Sequence, residues 1–170
     1  CGEQYCFVVA DGLGGHGKGE VASAIATDTF KRNFEAKNIP AETFIQETFL
    51  EAQYEIMQEQ KAQNATFEMK TTCVVLTVSN GIARYGHIGD TRAYVFRKNK
   101  VWHQTLDHSV PQMLVVSGEI KHKQIRNHSD RNRLLRVMGI DWDSPKYEMA
   151  EELPLSDCQA FLLCCDGFWE

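Results

Sequence analysis

Two aspartate–glycine pairs stand directly after short apolar segments of the sequence. Asp11-Gly12 follows residues 5–10, and Asp166-Gly167 follows residues 160–165. Apolar runs of this length are typical of buried strands. Carboxylates at adjacent strand ends can converge, and carboxylate oxygens are the ligands that Mg²⁺ and Mn²⁺ select. The two pairs together predict a divalent-metal site, although either pair alone is more typical of an ordinary turn.

A glycine-rich loop follows the first pair and surrounds His16. Backbone amides can approach a ligand closely here because four loop residues are glycine: Gly14, Gly15, Gly17 and Gly19. A helix is predicted to begin near Glu20, so its N-terminus would face the same ligand. His16 is a candidate general acid, and a solvent-exposed loop histidine is an equal alternative.

The same segment nearly fits the phosphate-binding loop of nucleotide hydrolases. Residues 12–19 follow a predicted strand and precede a predicted helix, and residues 161–166 imitate a strand that ends in a metal-binding aspartate. However, Gly19 stands where that loop requires a serine or threonine hydroxyl on Mg²⁺. Nucleotide binding is therefore the less favoured alternative.

The elements between these residues have distinct periods. Residues 22–34 and 45–56 carry apolar side chains at helical spacing, which predicts two amphipathic helices separated near Pro40. An antiparallel meander is predicted next from β-rich runs, at residues 71–79, 82–88, 92–97 and 101–105. Residues from about 110 to 154 are polar and weakly periodic, which predicts a helical turn and a mobile surface flap. A last strand covers residues 160–165.

This order of elements predicts an α+β fold in a single domain of residues 1–170. Its layers would be two packed antiparallel β-sheets flanked by antiparallel helices, an α-β-β-α sandwich. The length is sufficient for one core and requires no second domain. We expect the domain to be incomplete at both ends, because predicted strands lie within a few residues of Cys1 and of Glu170.

Composition and charge exclude several classes of function. Apolar residues make up 43% of the chain and charged residues 24%, as in ordinary globular proteins. The net charge of -5 creates no field that attracts nucleic acid or anionic lipid. No apolar run approaches the roughly 18 residues of a membrane span, and no signal segment is recognisable, so we expect a cytoplasmic location. The cysteines are expected to be reduced, since Cys164 and Cys165 are neighbours in an apolar run.

Five motifs, in order along nearly the whole chain, resemble the type 2C family of metal-dependent serine/threonine protein phosphatases, particularly its bacterial members. They are Val9-Ala10-Asp11-Gly12-Leu13-Gly14-Gly15-His16, Gly89-Asp90-Thr91-Arg92, Thr105-Leu106-Asp107-His108-Ser109, Arg133-Leu134-Leu135-Arg136-Val137-Met138-Gly139 and Cys165-Asp166-Gly167-Phe168-Trp169-Glu170. The resemblance implies hydrolysis of phosphoserine and phosphothreonine in proteins, in opposition to a serine/threonine kinase.

The resemblance also implies a binuclear Mn²⁺ or Mg²⁺ centre. Asp11 would bridge both metals, the Gly12 carbonyl would bind one of them, and Asp166 would bind the other. A metal-activated water would attack phosphorus, and His16 would protonate the departing oxygen. Asp90 would hold a weaker third metal.

Some positions depart from the family pattern. Glu170, which would support Asp90, replaces an aspartate and has a longer arm, and Cys165 replaces a serine. The family's upstream acidic ligand, its phosphate-gripping arginine and its last metal-binding aspartate have no counterpart in residues 1–170. A catalytically degenerate module that binds phosphoproteins is therefore a second hypothesis.

Other polar and aromatic residues are expected to have structural roles. Residues 107–109 contain hydrolase-type side chains, but consecutive positions cannot form a catalytic relay, so they are expected to fix a loop. Arg92 is expected to anchor its own turn, and Trp169 is expected to pack. The basic residues of the flap favour a solvated surface over a phosphopeptide contact.

Overall fold

A computed structural model describes residues 3–14, 18–65 and 68–169 of the chain. Eight strands within these residues form two sheets, with bounds β1 Tyr5–Leu13, β2 Lys70–Ser79, β3 Ile82–Ile88, β4 Arg92–Arg97, β5 Lys100–Gln104, β6 Glu148–Met149, β7 Leu153–Pro154 and β8 Ala160–Cys164. The first sheet has the order β1-β2-β3-β6, with β7 also pairing with β3, and the second has the order β5-β4-β8. All pairs in the described segments are antiparallel.

The two long helices cover one face of the first sheet. They are α1, Gly19–Ala36, and α2, Phe44–Ala62. Both predicted helices are confirmed, because their apolar positions recur at helical spacing and are fully buried at Phe30, Phe49 and Ile56. α1 ends where Lys37 adopts a left-handed backbone with a φ of 51°.

Two apolar cores lie on the two faces of β2. Cys73 and Val75 pack with the helices, whereas Val74 and Leu76 pack toward the second sheet. Successive side chains of a strand point to opposite faces, so one strand can serve both layers. The fold class predicted from the sequence is confirmed: the protein is α+β with two packed antiparallel sheets. Among the described residues the long helices lie on the first sheet only, so the second helical layer stays a prediction.

The first strand differs from the prediction in its length and position. β1 continues through Asp11 and Gly12 to Leu13, because these residues extend the ladder with the start of β2. It lies at the edge of the first sheet within the described residues, and Phe7 is 52% exposed. The prediction that the apolar residues 5–10 form a buried strand was therefore wrong for the exposed positions of β1.

The predicted meander is divided between the two sheets. β3 ends at Ile88 in the first sheet, and β4 begins at Arg92 in the second. The chain crosses at Gly89, whose φ of +94° favours glycine. A turn signal in a sequence marks a change of chain direction. It does not show whether the next strand pairs with the previous one or crosses to another sheet, which is why the meander prediction was wrong.

The predicted flap region has more structure than expected at its far end. It begins with α3, Val110–Val116, and a short 3₁₀ turn at His122–Gln124. Further on, β6 and β7 both pair with β3 and so belong to the first sheet. Mobility of the remaining flap stays a prediction. A fourth helix, α4, Asp166–Trp169, follows β8. None of the helices in the described ranges is long and apolar enough to cross a bilayer.

Phe49 offers a test of the helix–sheet core. Its ring is fully buried, lies 5.2 Å from the Phe30 ring and stacks 4.9 Å from Tyr147. Phe49→Ala should lower the free energy of unfolding by about 3–5 kcal/mol, because it removes apolar contacts and leaves a cavity. Tyr54→Ala on the same helix is the control, since Tyr54 is 63% exposed. Urea unfolding that gives equal losses for both variants would contradict this core.

Candidate active site

The two predicted metal-binding aspartates come from different sheets and meet at one point. Asp11 lies near the end of β1, and Asp166 is the first residue of α4, separated from the end of β8 by Cys165. Their carboxylate oxygens and the Cys165 sulfur all lie within 4.8 Å of one another. The structure therefore brings together the two aspartates that the sequence paired, across the junction of the two sheets.

Threonine hydroxyls hold the backbone at Asp11. Thr71 donates a hydrogen bond of 2.9 Å to the Asp11 carbonyl, and Thr72 donates one of 3.4 Å to the same oxygen. The Thr72 hydroxyl also bonds that of Thr91, beside the crossover. All three threonines are fully buried. Sequence reasoning missed them, although a Thr-Thr pair before an apolar run was a visible signal of polar groups at a buried strand start.

Two glycines let helix α1 begin directly against the strand that carries Asp11. A side chain on Gly12 would overlap the backbone of Gly19, and one on Gly19 would overlap the backbone of Gly12 and Leu13. Only residues without a Cβ permit this approach. The helix N-terminus, where backbone N–H groups favour anions, therefore lies beside the part of β1 that carries Asp11.

Asp90 reaches the same site from the crossover between the sheets. Its side chain lines the cleft with Asp11 and Asp166, and the residue is only 9% exposed. Burial, followed by the charges of Asp107 and Asp166, raises the pKa of Asp90 to about 7. The pKa of Asp11 is also raised, first by burial and then by the charge of Asp166.

Residues 107–109 fix the crossover, as the sequence suggested for this motif. The backbone N–H of His108 donates to the Gly89 carbonyl at 2.9 Å, and the backbone N–H of Gly89 donates to the ring atom Nδ1 of His108 at 3.1 Å. Nδ1 must therefore be unprotonated. Burial, followed by the charge of the stacked His87, lowers the pKa of His108 to about 4, which agrees with this bond.

An open cleft of about 750 Å³ surrounds the aspartates. It is lined by Asp11, Gly12, Leu13, Gly14, Lys18, Glu68, Lys70, Asp90, Asn132, Leu134, Leu135, Val137, Ile140 and Asp166. Lys18 and Glu68 form an ion pair of 3.5 Å at this cleft. Sequence reasoning missed both, because residues fifty positions apart carry no local signal of their contact. His16 and Glu170 lie outside the described residues.

The nucleotide-hydrolase alternative does not fit this architecture. Phosphate-binding loops belong to strand–loop–helix units, whose crossover connections produce parallel sheets. Here β1 and β8 lie in different sheets, and every strand pair in the described segments is antiparallel.

Comparison with known proteins identifies the family. The family model described as Protein phosphatase 2C matches residues 2–170. The chain belongs to the protein phosphatase 2C family. It is 32% identical to the serine/threonine phosphatase stp of Listeria monocytogenes serotype 4b, over 96% of this chain and 66% of that protein. The chain thus spans just under two thirds of the length of this relative.

Solved structures agree with the family assignment. The serine/threonine phosphatase Stp1 of Staphylococcus aureus is 32% identical, with a TM-score of 0.86 over 96% of this chain and 65% of that one. The catalytic domain of the phosphatase PstP, solved in complex with 2 manganese ions, has a TM-score of 0.76 over 97% of this chain and 70% of that one. At 23% identity, that second likeness shows the protein phosphatase 2C fold alone.

The raised pKa of Asp90 predicts how the metal-free phosphatase 2C chain responds to pH. The pKa of Asp90 is 3.8 in the unfolded chain and about 7 in the folded one. At pH values between these two, the folded state therefore keeps a proton on Asp90 that the unfolded state has lost. Stability should therefore fall as pH rises from about 4 to about 7. Asp90→Asn should raise the thermal midpoint in EDTA, and the gain should be larger at about pH 8 than at about pH 5.

The control for that measurement is Asp141→Asn, because Asp141 is exposed. Differential scanning calorimetry of the two variants at both pH values makes the comparison. An Asp90→Asn midpoint at or below that of the unaltered chain at about pH 8 would contradict the interpretation.

Proposed function

We propose that the protein hydrolyses phosphoserine and phosphothreonine in proteins through a binuclear Mn²⁺ or Mg²⁺ centre and a metal-activated water. The observation that carries this proposal is the convergence of the Asp11 and Asp166 carboxylates within 4.8 Å at an open cleft. The membership of the chain in the protein phosphatase 2C family also supports the proposal.

The residues at the cleft fit a pair of hard divalent cations. Asp11, Asp166 and Asp90 offer carboxylate oxygens, and the Gly12 carbonyl offers a further oxygen. The raised pKa values of Asp11 and Asp90 support this fit, because a bound cation would offset the cost of burying these charges and of holding them together. Mn²⁺ or Mg²⁺ would supply an acidified water as nucleophile and would neutralise charge on the phosphoryl group.

Each candidate residue of the site has its own role in the proposed reaction. Asp11 would hold both cations, and Asp166 would hold one of them. His16 gives a proton to the departing serine or threonine oxygen, since an alkoxide is a poor leaving group. Asp90, with Glu170 in support, would hold a weaker third cation.

The proposed substrate is a phosphoprotein, and the proposed opposing enzyme is a serine/threonine kinase in the cytoplasm. The openness of the cleft to solvent suits a phosphorylated segment on the surface of another protein. Lys18 and Lys70 line the cleft and bring positive charge close to the aspartates. Among the described residues of the cleft lining, these two lysines are the basic ones, and Lys18 is already paired with Glu68 at 3.5 Å.

Asp11→Asn tests the proposal most directly. With Mn²⁺ present, the unaltered chain should release phosphate from a phosphothreonine peptide. Asp11→Asn should lower kcat by more than about 100-fold, the scale expected when a principal electrostatic stabiliser is removed. Asp28→Asn is the matched control, because Asp28 is exposed on α1. Phosphate release is measured colorimetrically, with the Listeria phosphatase assayed in parallel.

Two results would speak against the proposal. Equal rates for the unaltered chain and Asp11→Asn would exclude the metal-bridging role. A failure to release phosphate, together with a failure to bind Mn²⁺ in calorimetry, would favour the degenerate phosphoprotein-binding module instead.

A further inference from the structure

Arg92 forms the centre of a buried group of contacts that the proposed reaction does not itself use. Its Nε donates to Oδ1 of Asp107 at 2.7 Å, and its Nη2 donates to Oδ2 at 2.6 Å. The side chains of Arg92 and Asp107 are 5% and 1% exposed. This is a two-point carboxylate contact, whose planar geometry fixes the guanidinium rigidly.

The face of the same guanidinium carries Trp169. The Arg92 Cζ atom lies 3.4 Å from the centre of the Trp169 ring, and the indole N–H donates to the Asp90 carbonyl at 3.1 Å. Trp169 belongs to α4, the helix that begins with Asp166. A continuous set of contacts therefore runs from Asp107 through Arg92 and Trp169 to Asp90.

These contacts link the backbone of Asp90 to the helix that carries Asp166. Asp90 is carried by the crossover, and Asp166 is carried by the same short helix as Trp169. α4 has only four residues, so its own backbone hydrogen bonds cannot hold it firmly. Besides its connection to β8, the Trp169 contacts hold α4 in place relative to Asp90.

We propose that Arg92, held by Asp107, positions Trp169 and so sets the placement of Asp90 relative to Asp166 for divalent-cation binding. The inference rests on the proposed function, because it concerns the same metal centre. Arg92 and Trp169 are positioning residues, since they act through the placement of Asp90. Lysine cannot replace Arg92 here, because an ammonium group offers neither a two-point carboxylate contact nor a flat surface for the indole.

The chain contains a matched control for this arrangement. Arg97 lies on the same strand β4, with its Cζ atom 4.5 Å from the centre of the Trp102 ring. That pair has the same arginine–tryptophan chemistry, but among the described residues the ion pair of Arg97 is with Asp157, at 3.9 Å, and not with an aspartate of the cleft. Arg97→Lys and Trp102→Phe therefore remove the same chemistry at a place where cation binding should not respond.

The test is Mn²⁺ titration by calorimetry and by electron paramagnetic resonance. One Mn²⁺-binding step should be lost in Asp90→Asn. Arg92→Lys should raise the dissociation constant of that step by about 10-fold or more, as is typical when partners of metal ligands are altered. Trp169→Phe should weaken the same step, because phenylalanine keeps a ring on Arg92 but has no N–H for Asp90. Arg97→Lys and Trp102→Phe should leave it unchanged.

A double-mutant comparison separates positioning from general damage to the fold. In an Asp90→Asn background, Arg92→Lys should no longer alter Mn²⁺ binding, whereas a loss of stability alone would alter it in both backgrounds. If Arg92→Lys fails to fold, Trp169→Phe carries the same comparison. Unchanged Mn²⁺ binding in Trp169→Phe and Arg92→Lys would overturn the positioning role alone. An unaltered chain that binds no Mn²⁺ would overturn both this role and the proposed metal centre.

Discussion

Like-charged carboxyl groups held close together set the condition that the rest of this structure must satisfy. Asp11 and Asp166 lie within 4.8 Å, and Asp90 lines the same cleft. Burial, followed by repulsion between the carboxylates, raises the pKa values of Asp11 and Asp90. A fold can maintain such an arrangement only with a rigid frame. The buried threonine bonds and the turn contacts of His108 form that frame.

Much of the fold could be predicted because its elements have strong local periods. The helices were found from apolar residues such as Phe30 and Phe49, which recur every three or four positions and are fully buried. The division into two sheets could not be predicted in this way. Strand pairing depends on contacts across the chain, and the crossover at Gly89 has the same local signals as a hairpin turn. The edge position of β1 was missed for the same reason.

The site shows a similar division between local and distant information. Short motifs in the sequence identified three aspartates, Asp11, Asp90 and Asp166. All three line one cleft in the structure. The partners that hold them were not found. Arg92 was expected to anchor its own turn, but it bonds Asp107, fifteen positions away. Trp169 was expected only to pack, yet it also donates a hydrogen bond to Asp90. Such partners become visible only when the chain is folded.

The contact between Gly12 and Gly19 has a consequence for how this protein can change over time. Each glycine excludes a side chain at the other, so neither position can vary alone without moving the whole of α1. The end of β1 and the start of α1 are therefore fixed relative to each other. A larger residue at either glycine would require a compensating shift of the helix, and with it a change in the packing of the whole helix–sheet core. Evolution can therefore replace these two glycines only together with their surroundings.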